Sequence, residues 1–222
     1  MKSLYITEDR IFFITGMFFL AVQLLILSSL LFQSESRPLL LWLCNNFCFF
    51  LSYACFTRNM QMLKGVSYLG LIPQLLWMTD FISPAFGFNV SSITDYIAVD
   101  GLTYTNGVSI VLHMIVPPVI LLLSFRTFPK VVSLVYAALY AAFLYRATLI
   151  FGMNSEDINC VVHACDIATY IPYYTWLWPI AAITLTLITY GFHRILYVLW
   201  WEWLPMVRKA VVTWYVQSSV SR

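Results

Sequence analysis

Charge is what this sequence has least of. Lys, Arg, Asp and Glu together make up 10% of its 222 residues, against 61% hydrophobic ones, and no water-soluble core of this length could bury that much apolar side chain. Lipid is the solvent the composition implies. Neither sign of charge is in strong excess: 12 Lys and Arg stand against 10 Asp and Glu. No basic surface able to neutralise phosphates results, which sets nucleic acid aside as a partner. Further absences narrow the chemistry. There is no His-Glu-x-x-His pair, no phosphate-binding Gly-rich loop and no helical pair of haem-ligating histidines, and the chain has only three His in all. No Lys lies at the middle of a hydrophobic run, which removes a retinal Schiff base. No cofactor is expected.

What the sequence has is long apolar runs. About 20 residues rising ~1.5 Å each cover the ~30 Å hydrocarbon layer, and six segments meet or nearly meet that length: Ile11 to Phe32, Leu39 to Phe56, Leu63 to Ile82, Gly107 to Phe125, Val131 to Phe151 and Ile171 to His193. The third is the least apolar, with Lys64 at one end and Asp80 at the other. The first is too long for a signal-peptide core and reads as a retained helix. The fold class expected is all-α, a polytopic transmembrane bundle of six helices over residues 1–201. An amphipathic tail over 202–222 follows it.

Orientation comes from the positive charges, because Lys and Arg are held on the cytoplasmic side during insertion. Ten of the 12 (Lys2, Arg10, Arg58, Lys64, Arg126, Lys130, Arg194, Arg208, Lys209 and Arg222) fall on one side of a six-span arrangement; Arg37 and Arg146 do not. Both termini are therefore expected in the cytoplasm, as in a multi-pass integral membrane protein. The two long connections, Ser83 to Asn106 and Gly152 to Tyr170, then fall outside, where lids and binding loops would sit. In the tail, Pro205 could open a short helix. Met206, Val207, Ala210, Val211 and Trp214 would form its apolar stripe beside Arg208 and Lys209, suited to the inner headgroup layer.

Polar groups inside a membrane are costly and face the protein interior, where they mark a site or a hydrogen-bonded strut. Cys44, Asn45, Asn46, Gln74, Asp80, His113, Tyr145 and Arg146 all fall in the outer half of their runs, Gln23 falls near mid-depth, and the inner half reads as almost purely apolar. A cavity opening outward fits this better than a continuous pore. Arg146 and Asp80, at comparable heights, suit a salt bridge that either locks two helices or receives an anionic headgroup or carboxylate. His113 precedes Pro117 and Pro118, which free carbonyls and bend their helix; it reads as a packed, hydrogen-bonded residue or as a general base. Cys44 and Cys48 share a helix face as small hydrophobes, while Cys44 lies at the depth of His113 and so allows a Cys–His nucleophilic pair.

The last outer loop holds Cys160, His163 and Cys165. A fourth zinc ligand is missing, and a disulfide between Cys160 and Cys165 is the simpler expectation in an oxidising compartment. Asn89-Val90-Ser91 is a formal glycosylation sequon on the same face.

The order of several short motifs resembles the YwaF-like family of six-helix membrane proteins. They are Pro38-Leu39-Leu40-Leu41-Trp42-Leu43-Cys44, Pro73-Gln74 through Thr79-Asp80, His113 with Pro117, Gly152-Met153-Asn154 and Pro172-Tyr173-Tyr174. Trp42 stands where that family has a polar residue. Eukaryotic members are linked to phospholipid acyl transfer, so the resemblance implies lipid acyl chemistry. The fourth run is also similar to the androgen-induced membrane hydrolase family, from which only the His carries over, as His113.

The reading that follows is an intramembrane enzyme of acyl transfer or ester hydrolysis. Cys44 would be nucleophile or acyl carrier and His113 base, with Asp80, Arg146, Gln74, Asn45 and Tyr145 around a lipid substrate. Two alternatives stand beside it. One is a transporter or receptor binding a small amphipathic ligand in the same cavity. The other is a non-catalytic subunit, and the partners allowed are membrane lipid, a second copy or another membrane protein.

Overall fold

The computed structural model describes residues 2–32, 43–88, 90, 94–151, 174–203 and 205, with side chains described from residue 8 and excluding 174–176, 202 and 203. Among the described residues there are seven α-helices and no strand. They are α1 (Lys2–Phe32), α2 (Leu43–Phe56), α3 (Met60–Ile82), α4 (Asp95–Asp100), α5 (Tyr104–Ser124), α6 (Val132–Phe151) and α7 (Tyr174–Tyr197). A 3-10 turn, Ser83–Phe86, follows α3, and a π-helical turn, Val198–Trp203, continues α7.

Four helical stretches are long and apolar enough to cross a membrane: Glu8–Leu31, Tyr104–Ser124, Val132–Phe151 and Leu177–Trp201. They carry large apolar side chains on their outward faces, among them Ile14, Leu122, Leu139 and Ile188. Such faces suit lipid rather than water. α2 is apolar but only 14 residues long, and the residues expected to begin it, from Leu39, lie outside the described ones.

α3 falls outside that group of four because Lys64, Gln74 and Asp80 dilute it. Yet it is the centre of the bundle, packing on α2, α5, α6 and α7. A helix surrounded by protein needs no apolar exterior, and its polar groups find partners that lipid cannot offer. Two of its glycines make the packing close. A Cβ on Gly65 would meet the Ser133 carbonyl and Tyr136 of α6, and one on Gly70 would meet the Phe47 ring of α2. Association between apolar helices in lipid depends on such backbone approach.

Side-chain hydrogen bonds join α1 to α2 and α2 to α6. Gln23 straps α1 to α2, its Nε2 donating to the Asn45 carbonyl at 2.8 Å and its Oε1 accepting from the Phe49 amide at 2.9 Å. The mid-depth Gln23 is thus a strut. Ser52 donates to the Gly16 carbonyl at 2.9 Å, and Tyr140 of α6 donates to Asn46 of α2 at 2.5 Å.

The end of the bundle bearing the α2–α3 and α5–α6 turns, expected to be nearly apolar inside, is corrected by the structure. Lys64, Tyr68, Ser124, Ser133 and His193 are all buried there. Lys64 Nζ donates to the carbonyls of Thr127 and Phe128 in the turn between α5 and α6, at 2.7 and 2.8 Å, so the buried ammonium is hydrogen-bonded. Tyr68 Oη and His193 Nδ1 lie 2.9 Å apart, and the imidazole stacks on Phe125 with centroids at 4.1 Å.

The helix expected after Pro205, the disulfide between Cys160 and Cys165, the sequon Asn89 and His163 lie outside the described residues. Cys44, Cys48 and Cys55 are free thiols.

Candidate functional site

At the opposite end of the bundle a cavity of about 990 Å³ is lined by six of the seven helices, α6 being the exception. Local chain chemistry positions its walls. Pro73 in α3 removes the amide that the Leu69 carbonyl would accept from, and Pro117 and Pro118 do the same to the carbonyls of His113 and Met114 in α5. Both helices that carry the central polar pair are therefore weakened beside it. Thr103 caps the start of α5 by accepting from the Asn106 amide at 3.2 Å. Three turns of α5 then present Asn106, Ser109 and His113 to the cavity, a spacing of three and four residues that keeps one face. This helix starts at Tyr104, three residues before the apolar run that predicted it.

The pair at the cavity wall is His113 and Gln74. His113 Nδ1 donates to Gln74 Oε1, which leaves imidazole Nε2 as the proton acceptor. Trp77, one turn beyond Gln74, stacks on the imidazole with centroids 4.3 Å apart and ring planes at 19°, so both tilt and tautomer are held. Gln74 is 1% exposed, and its Nε2 has no hydrogen-bond partner. A buried donor without an acceptor costs roughly 1–3 kcal/mol, a penalty that would be relieved if the amide turned towards an oxygen held in the cavity that Gln74 lines.

Cys44 and Asn45, at the start of α2, line the same cavity. The Cys44 thiol donates to Asn45 Oδ1 at 3.7 Å, and no hydrogen bond joins it to His113. The structure brings Cys44, Asn45, Gln74 and His113 to one space without closing the Cys–His pair. Tyr145 is set back from the cavity. It stacks on Trp178, which does line it, with centroids 5.8 Å apart.

The expected pairing of Asp80 with Arg146 is not formed. Asp80 is 2% exposed, and its carboxylate accepts from the amide and the hydroxyl of Thr94, both at 2.9 Å. It holds the segment leading into α4 against the end of α3. Arg146 is exposed on α6, the helix that takes no part in the cavity. The buried face of α6 runs through Ser133, Ala137, Tyr140, Leu144, Ala147 and Thr148, and Arg146 projects away from it. Neither residue lines the cavity, so the headgroup role expected of them lacks a geometric basis.

Residues not singled out from the sequence complete the site. Trp77, Tyr96, Asp100, Asn106, Ser109 and Trp178 all line it. α4 lies at its edge, tied to α5 by Tyr96 Oη and Ser109 Oγ at 2.8 Å. Tyr96 keeps 37% of its surface accessible. Desolvation raises its phenol pKa above the ordinary value, with hydrogen bonds from Ser109 and Trp77 opposing, so the group is a neutral hydroxyl at neutral pH. Gly101, at φ 71°, ends α4 in a conformation that favours glycine. Asn106 Nδ2 anchors that turn by donating to the Gly101 carbonyl at 2.7 Å. The polar stripe of α5 was readable from helical spacing, whereas α4 carried no such signal.

The lower wall is apolar, formed by Ile26, Leu69, Leu112, Ala182 and Leu185 among others. α7 packs on α3 and α6, and α5 on α1 and α3, so α5 and α7 flank the cavity without packing along one another. Among the described residues no group of His, Cys, Asp and Glu is arranged to hold a metal ion. Comparison with known proteins finds no matching family model, no similar curated protein and no similar solved structure.

Proposed function

We propose that the chain is a multi-pass membrane protein of six spans with both termini cytoplasmic, and that its cavity is a lipid site where an acyl chain is transferred or hydrolysed. The observation that supports this most is the unpartnered Gln74 amide beside an oriented His113, set in a cavity whose remaining depth is apolar. A lipid with one reactive polar end matches that division. The motif resemblance to the YwaF-like family points the same way.

In this reading His113 Nε2 takes the Cys44 thiol proton as sulfur forms a bond to the acyl carbon. The carbonyl oxygen, gaining charge, accepts from Gln74 Nε2 once that amide has turned towards the cavity. As the intermediate collapses, the carbon–oxygen bond to the leaving alcohol breaks and His113 returns the proton to that oxygen, leaving a thioester. A second alcohol or water then completes transfer or hydrolysis. The thiol, which donates to Asn45, must first turn towards His113.

The hydrogen bond of Cys44 to Asn45, rather than to His113, favours a second reading in which the cavity binds an amphipathic ligand without chemistry, as in a receptor or transporter. The two separate in one experiment. The purified full chain is incubated with acyl-labelled phospholipid and digested for mass spectrometry. Acyl adduct on the Cys44 peptide, lost in Cys44→Ala and His113→Ala, supports the enzyme; undiminished turnover in both variants rules out the assigned chemistry. The spans are tested by tags at each end of the chain, which should be shielded from impermeant reagents in intact cells.

A further inference from the structure

Among the described residues that line the cavity, Asp100 brings a carboxylate and none is Lys or Arg. Among the described residues the ion pair present is Arg58 with Asp9, far along the chain from this site. Among the described residues no cation pairs with Asp100. It shares one face of α4 with Tyr96, four residues earlier, and both line the cavity. The Tyr96 ring is accessible, and its hydroxyl is fixed by Ser109 at 2.8 Å, so the aromatic face cannot swing away freely. Trp77 and Trp178 add further rings to the lining. A carboxylate one helical turn from a fixed, accessible aromatic face attracts a cation by charge and by the ring's quadrupole. The same carboxylate repels an anionic headgroup, for which the described lining residues offer no compensating charge.

We infer that this cavity selects an amphiphile whose headgroup bears an ammonium group and no net negative charge, with Asp100 and Tyr96 as the receiving pair. The inference rests on the reading of the cavity as a lipid site, and it names the class of headgroup. It replaces the anionic headgroup expected from Arg146, whose side chain lies on α6. The acyl end would point to Gln74 and His113, and the ammonium would sit at the α4 edge.

The test uses the full chain in nanodiscs and three dodecyl amphiphiles, bearing trimethylammonium, maltoside or sulfate headgroups, each below its micellar concentration. Binding is read by native mass spectrometry. Trimethylammonium should bind about tenfold more tightly than sulfate, the order expected for one partly exposed cation site. Asp100→Asn should narrow that ratio to within about threefold, Tyr96→Leu should narrow it too, and Asp95→Asn, on the same helix but off the cavity, should leave it unchanged. Equal binding of sulfate and trimethylammonium overturns the inference while leaving a lipid site standing, as does a preference that survives in Asp100→Asn. Failure of all three probes to bind removes both the inference and the lipid reading beneath it. A headgroup preference without any acyl adduct supports the inference and removes the enzyme alone.

Discussion

Two buried histidines, each stacked on an aromatic ring, sit at opposite ends of this bundle and differ in what surrounds them. His113 lies on Trp77 at the wall of a cavity, beside an amide nitrogen with no acceptor. His193 lies on Phe125 among Tyr68, Lys64 and Ser133, away from that cavity, and its own Nε2 has no hydrogen-bond partner. Residue type, burial and ring stacking are the same in both. What differs is that His113 lines the cavity of about 990 Å³ and His193 does not, so polar groups in a membrane protein need to be sorted by the space they face.

Substitutions should divide along that line, and the largest difference is expected at the histidines themselves. His113→Ala should lower acyl turnover at least about a hundredfold, the scale of losing a general base, with a small effect on unfolding. His193→Ala should leave turnover of the folded fraction near that of the parent. It should instead lower the thermal midpoint in detergent, because it removes the partner of Tyr68 and opens a void. A loss of turnover in His193→Ala at unchanged midpoint would break the comparison.

Next in size is Gly65→Leu, which forces α3 away from α6 and should cost about 3 kcal/mol of stability or prevent folding. Lys64→Met should follow, at roughly 1–3 kcal/mol, since it leaves the Thr127 and Phe128 carbonyls unmet. Denaturation in mixed micelles measures both, and ligand binding by the folded protein should be unaffected. The smallest effect is expected of Arg146→Ala, which should leave binding and turnover within about twofold. A large loss there would return Arg146 to the site and contradict its exposed place on α6.

Much of this was legible in the sequence. Apolar runs marked the long helices, and depth along them brought Cys44, Asn45, Gln74 and His113 to one end, because depth in a membrane follows from residue count. What depth does not give is azimuth. Asp80 and Arg146 share a height, yet Asp80 turns to Thr94 and Arg146 leaves the buried face of α6. The spacing of Tyr140, Leu144, Ala147 and Thr148 would have shown the latter, since Arg146 lies off their stripe. Hydropathy also undervalued α3. Its polar residues made it the least apolar of the six segments, and they are there because the helix is enclosed by protein. Tyr96 and Asp100 were out of reach, since a six-residue helix in a long connection has no period to read and its placement depends on tertiary contacts such as Tyr96 to Ser109.

The most direct test of the central claim, that the lipid site is the cavity between α3, α5 and α7, is photocrosslinking with a phospholipid bearing a diazirine near the acyl chain terminus, followed by peptide mapping. Labelling should concentrate on the peptides containing Leu69, Leu112 and Leu185 and should fall on competition with unlabelled lipid. Labelling spread evenly over outward residues such as Leu139 and Ile188, and insensitive to competition, would show that lipid merely surrounds the bundle and would contradict the account.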